Sequence, residues 1–131
     1  MGAMVIGDAD RGPSMGRLFQ ISAWLCVAAI GVLSIVTPSL RPVTWLPHSF
    51  EHAAIFALTG IAVGLGYPNR TVQHMITLTI FAAGIELAQF FAPGRHPRLI
   101  DFVIDALGAC AGVVLALAFS RLLVRNFPTK P

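Results

Sequence analysis

The sequence predicts an all-α membrane protein, a bundle of four transmembrane helices, on three observations. Of its 131 residues, 56% are hydrophobic and only 11% are charged, with a mean hydropathy of +0.76. Soluble domains run at about 45–50% apolar and about 25% charged, so this balance belongs to a chain solvated by lipid. The apolar residues gather into four long segments broken by proline, glycine and arginine. Charges are scarce within those segments except in one region, where carboxylates flank a basic turn. A length of 131 residues is expected to hold one such unit.

Residues 1–17 are polar, with Asp8, Asp10, Arg11 and Arg17, and read as a tail. Leu18 to Val36 is an apolar run close to the ~20 residues that cross a bilayer. It exceeds the roughly 7–15 residues of a signal-peptide core, and no small-residue cleavage pattern follows, so a retained first helix is expected. Pro38, Pro42 and Pro47 then forbid a continuous helix. Trp45 and Phe50 read as interface anchors. A second helix is expected from Phe50 to Tyr67, stopped by Pro68-Asn69-Arg70, a third from Thr71 to Ala92 and a fourth from Leu99 to Leu123. The transmembrane domain thus covers residues 18–124, and 125–131 form a second polar tail.

The arginines set the expected topology. With four spans, Arg11, Arg17, Arg70, Arg121, Arg125 and Lys130 fall on one side, and Arg41, Arg95 and Arg98 on the other. Positive residues concentrate on the cytoplasmic side, which places both termini there. The net charge of +3 comes from basic residues scattered singly, without the clustered patch of a nucleic-acid surface, so no nucleic-acid partner is expected. Cys26 and Cys110 lie within apolar segments and read as small core residues, not as a disulfide or a metal pair.

The candidate site is the charged region. Glu86 and Gln89 share a face at the end of the third helix, and Asp101 and Asp105 share one at the start of the fourth. His48 and His52 begin the second helix on the same side. At about 1.5 Å of rise per residue, the carboxylates reach roughly 10 Å inward, with His52 expected to be shallower. Ionisable groups at membrane depth are costly and mark functional sites by default. Glu86, Asp101, Asp105 and His52 are therefore the acid–base candidates, and Arg95 and Gln89 the ligand-binding ones. Each also has a structural reading: His52 as an interfacial histidine, Glu86 with Gln89 as glue between helices, Asp101 as a dipole-favoured cap, and Arg95 as a lipid-facing anchor. Gly60-x-x-x-Gly64 and Gly108-x-x-x-Gly112 permit close helix contact beside the polar residues. No tight ligand motif for a metal is present, and neither a metal nor a cofactor is expected.

The order of these residues resembles the VanZ-like family of bacterial integral membrane proteins. The matching positions are Glu51-His52 with Phe56, Glu86-x-x-Gln89, Pro93-Gly94-Arg95, and Asp101-x-x-x-Asp105-x-x-Gly108 with Gly112, within about residues 45–118. The chain departs at His48-Ser49, where members often carry Asp-Lys, and at Asp105, often Asn. The resemblance implies a small multi-pass protein of the bacterial inner membrane, and its namesake is associated with resistance to teicoplanin-type glycopeptides. Three functions stay open. The cluster binds an envelope- or lipid-linked ligand at the outer leaflet; or it is a hydrolase or transferase acting on a phosphorylated lipid or cell-wall precursor; or it is an ion or proton path. Membrane lipids and a lipid-linked envelope precursor are the expected partners. Gly-x-Ser-x-Gly, His-Glu-x-x-His and P-loop patterns are absent, so the sequence assigns no reaction.

Overall fold

The computed structural model describes residues 14–40 and 45–126. Within them the chain forms α1 (Met15–Ile35), one turn of 3-10 helix (Pro38–Leu40), α2 (His48–Gly66), α3 (Thr71–Gln89) and α4 (Leu99–Asn126). The described residues contain no strand, and each of the four helices is long and apolar enough to cross a membrane. The expected all-α, four-span architecture is therefore the observed one. The tail up to residue 13, Arg41 and Pro42 of the first loop, and the tail from 127 with Lys130 lie outside the described residues.

Helix ends differ from expectation for local reasons. α1 starts at Met15, inside the stretch read as tail, because the Ser14 hydroxyl accepts the Arg17 backbone N–H at 3.4 Å and caps the helix. α2 starts at His48, directly after Pro47, whose fixed φ suits a helix entry. α3 ends at Gln89 and not at Ala92. Pro93 disfavours helical geometry at Ala92, and Gly94 takes a positive φ of 75° that reverses the chain. Asn69, at φ 73°, turns the chain between α2 and α3.

The bundle is built on α2 and α4, which run parallel. A Cβ added to Gly112 would strike the Ala57 carbonyl oxygen, and one on Gly60 would strike that of Ala109. On Gly108 it would lie 2.7 Å from the Ala53 carbonyl oxygen, and on Gly64 2.6 Å from the Ala116 Cβ. The two backbones therefore touch along their length, as small residues at helical spacing allow. α1 packs chiefly on α2 and α3 chiefly on α4, with little contact between α1 and α3. Phe56, Leu78, Ala82, Ile85, Ala109 and Val113 fill the core between them, and Phe56 and Phe81 stack at a centroid distance of 6.0 Å. The outer faces carry Leu58, Ile80, Leu107, Leu115 and Phe119, exposed apolar side chains suited to a hydrocarbon solvent.

Gly112→Leu is expected to lower folded yield and melting temperature in detergent, at a cost of about 1–3 kcal/mol or more, because the added side chain forces the helices apart. Leu115→Ala, on an exposed face, is expected to change both little. Equal effects of the two would contradict the close contact.

Candidate functional site

Because α2 and α4 run parallel and α3 runs against them, the first turns of α2 and α4 meet the last turns of α3 at one end. That end collects His52, Glu86, Gln89, Asp101 and Asp105, with relative exposures of 6, 7, 5, 9 and 0%. Polar groups this deeply covered need protein or ligand partners, because a hydrocarbon solvent supplies none. Their burial removes the lipid-facing arrangement for the helix-borne candidates.

The strongest contact joins α2 to α4. His52 Nδ1 lies 3.1 Å from Asp105 Oδ1 and 3.2 Å from Oδ2. Either the imidazole N–H donates to a carboxylate oxygen or a carboxyl O–H donates to the ring nitrogen, and in both cases Asp105 holds the ring by its Nδ1 edge. This pairing leaves the Nε2 edge of the ring for other chemistry. His48 packs against His52 edge-on, at a centroid distance of 4.3 Å. His52 was expected to be shallower than the carboxylates, and it lies level with Asp105 instead. Two causes act together: α2 begins at His48, two residues early, and the Gly108–Ala53 contact draws the start of α2 against α4.

Glu86 divides its two oxygens. Oε2 accepts the Arg98 backbone N–H at 3.1 Å, so it satisfies a donor at the entry to α4. Oε1 is buried with no hydrogen-bond partner among the described residues. Asp101, Asp105 and His52 are near enough to act on Glu86 electrostatically. Asp101 stands in the first turn of α4, where the helix dipole favours a negative charge. Gln89 is buried just beyond Glu86 on α3.

Arg95 reaches a different element. Its Nη2 donates to the carbonyls of Leu33 at 3.0 Å and Val36 at 3.2 Å, the unsatisfied end of α1. It thereby ties the α3–α4 turn to α1. No local sequence signal marks that bond, since its partners are 62 and 59 residues away. The Arg98 N–H bond to Glu86 was equally invisible, because it comes from backbone. His96 is exposed in the loop. Cys26 and Cys110 are free thiols. Among the described residues no group of three or more His, Cys, Asp or Glu side chains is placed to hold a metal.

A family model described as VanZ/LLP1 matches residues 15–121. The chain belongs to the VanZ/LLP1 family. No curated protein and no solved structure matches it. The matched span takes in α1, α2, α3 and most of α4, so it contains the whole cluster. It also reaches beyond the resemblance read over residues 45–118, adding the helix that Arg95 holds. In this VanZ/LLP1 protein the arrangement offers an oriented imidazole, a buried acceptor oxygen without a partner among the described residues, and the Asp101 and Asp105 carboxyls one helical turn apart. Chemically, it can accept hydrogen bonds from a ligand and can pass a proton.

The His52–Asp105 contact is expected to be a real coupling between α2 and α4. A double-mutant cycle with His52→Ala and Asp105→Ala, read by thermal unfolding in detergent, should give an interaction energy of about 0.5–3 kcal/mol. Additive losses would show that the two side chains are neighbours without a bond.

Proposed function

We propose that this VanZ/LLP1 protein is a bacterial inner-membrane protein whose polar cluster binds the headgroup of an envelope- or lipid-linked ligand at the outer leaflet. The proposal rests on Glu86 Oε1, buried without a partner among the described residues beside the His52–Asp105 pair. A buried acceptor left unsatisfied costs about 1–3 kcal/mol, and more when it is charged. A ligand hydroxyl, amide N–H or ammonium group would remove that cost. Headgroups of envelope lipids and of lipid-linked precursors carry such donors. Gln89 supplies a buried amide one helical turn beyond Glu86. Arg95 contributes by fixing the Pro93–Gly94 turn through α1, and its positive charge attracts a headgroup phosphate or carboxylate.

The outer-leaflet assignment depends on the arginine distribution, which favours both termini in the cytoplasm. It is tested with single cysteines at Ser39 and Thr129 in a Cys26→Ala, Cys110→Ala background. A membrane-impermeant reagent applied from outside should label Ser39→Cys alone. Labelling of Thr129→Cys from outside would invert the topology.

A second reading, favoured by the two-oxygen contact of Asp105 with His52 Nδ1, is an enzyme acting on a phosphorylated lipid or cell-wall precursor. Asp105 would hold the imidazole and Nε2 would act as the base, with Glu86 or Asp101 as the acid. Glu86→Gln is the common test, because it keeps the shape and an oxygen for the Arg98 N–H but replaces an acceptor with a donor. The variant is expected to fold and melt like the parent, to lose a copurifying lipid identified by mass spectrometry, and to lose any altered sensitivity to teicoplanin-type or other wall-directed compounds that the parent confers. Unchanged lipid and unchanged sensitivity would end the site reading. Retained binding with lost turnover in His52→Gln would favour the enzyme.

A further inference from the structure

The end of the bundle away from the polar cluster has the opposite chemistry. There α1 and α3 begin and α2 and α4 end. Among the described residues Arg17, Arg70, Arg121 and Arg125 lie at this end, whereas Glu51, Glu86, Asp101 and Asp105 all lie at the other, together with Arg95 and Arg98. A cavity of about 760 Å³ opens at this basic end between α1, the α2–α3 turn and α3. Ligand pockets usually measure about 300–1,000 Å³. The space exists because α1 leans on α2 and scarcely meets α3.

The cavity wall is fixed by bonds between helices. Gln20 Nε2 donates to the Gly66 carbonyl at 2.8 Å, and a Cβ on Gly66 would lie 2.9 Å from the Gln20 nitrogen. Trp24 Nε1 donates to the Tyr67 hydroxyl at 3.1 Å, and His74 Nε2 donates to the Tyr67 carbonyl at 2.7 Å. Tyr67 is thus held from both sides, and its hydroxyl hydrogen is left to donate. Val27, Leu78 and Phe81 supply apolar lining, while the exposed Arg70 supplies the charge. Smaller cavities of about 450 and 390 Å³ also adjoin Tyr67, one lined by Arg121 and Arg125 and the other by Arg17.

We infer that this groove is a second ligand site, separate from the polar cluster, and that it takes an anionic phospholipid. An acyl chain lies against Val27, Leu78 and Phe81, and the headgroup phosphate meets the Arg70 guanidinium and the Tyr67 hydroxyl. A free phosphate would use the rim and leave the apolar lining unfilled. A zwitterionic lipid would fill the lining but gain less from a rim whose charged side chain among the described residues, Arg70, is positive.

The test uses the full chain with Trp45→Phe, so that Trp24 in the groove wall is the only tryptophan. In detergent it is titrated with phosphatidylglycerol or phosphatidylcholine bearing dibrominated acyl chains, which quench indole on contact. Phosphatidylglycerol is expected to reach half-quenching at about fivefold lower content than phosphatidylcholine, as one arginine–headgroup contact supplies. Arg70→Gln, at an exposed position, should bring the two lipids together without changing the fold. Thr77→Phe, from an exposed residue of the lining, should reduce quenching by both, with folding checked by circular dichroism. Equal quenching by the two lipids in the parent would overturn the inference. So would a preference that survives Arg70→Gln, or displacement by excess inorganic phosphate. Neither substitution touches His52, Glu86 or Asp105, so this site and the polar cluster stand or fall separately.

Discussion

The close approach of the α2 and α4 backbones sets the rest of the structure. In hydrocarbon there is no hydrophobic force to join two apolar helices, so contact must come from dense van der Waals packing and from bonds between helices. Gly60, Gly108 and Gly112 let carbonyl oxygens of the facing helix sit where a side chain would otherwise begin. The same contact fixes the register. With Gly108 against Ala53, the residue before Ala53 and the residue three before Gly108 come together, and these are His52 and Asp105. The polar pair is therefore a consequence of the glycines as much as of its own chemistry.

Polar atoms in this protein follow two patterns. Thr59, Thr79 and Ser120 each donate to the carbonyl four residues earlier, so they satisfy their hydroxyl hydrogen within one helix, and Thr79 adds a contact to the Cys110 sulfur of α4. Carboxylates cannot do this, since they accept and the interior of a helix has no spare N–H. Asp105 and Glu86 must find donors on other elements. Asp105 finds an imidazole, and Glu86 finds a backbone N–H at the entry to α4. Among the described residues, the fully buried oxygen left without a partner is on Glu86. That asymmetry separates a structural carboxylate from one with capacity for a ligand.

The connection between α3 and α4 does more than reverse the chain. Pro93 and Gly94 end α3, and the chain then passes through Arg95, which donates to the end of α1, and Arg98, whose N–H meets Glu86. One short turn thus fixes α1, orients Glu86 and starts α4. At the opposite end the pairing of Trp24 with Tyr67 and of Gln20 with Gly66 holds α1 on α2 and leaves α3 apart. The groove beside α1 and α3 thus opens at the end where Arg17, Arg70, Arg121 and Arg125 lie.

The sequence by itself determined the fold class, the number of spans and the end of the bundle that holds the acids. Those features follow from local quantities: apolar length, the prolines after α1 and α3, and the helical spacing that puts Asp101, Asp105 and Gly108 on one stripe. It also placed Glu86 and Gln89 on a buried face, because a carboxylate is costly in lipid. Only the tertiary structure decided who bonds to whom. The level of His52 depended on where α2 begins and on how closely α4 can approach it. Arg95 could be read as a ligand anchor or a lipid-facing residue until its partners, two carbonyls 62 and 59 residues away, were known. The groove beside Tyr67 had no signature at all, since it arises from a gap between α1 and α3, and a gap between helices is a property of packing that no single stretch of chain encodes.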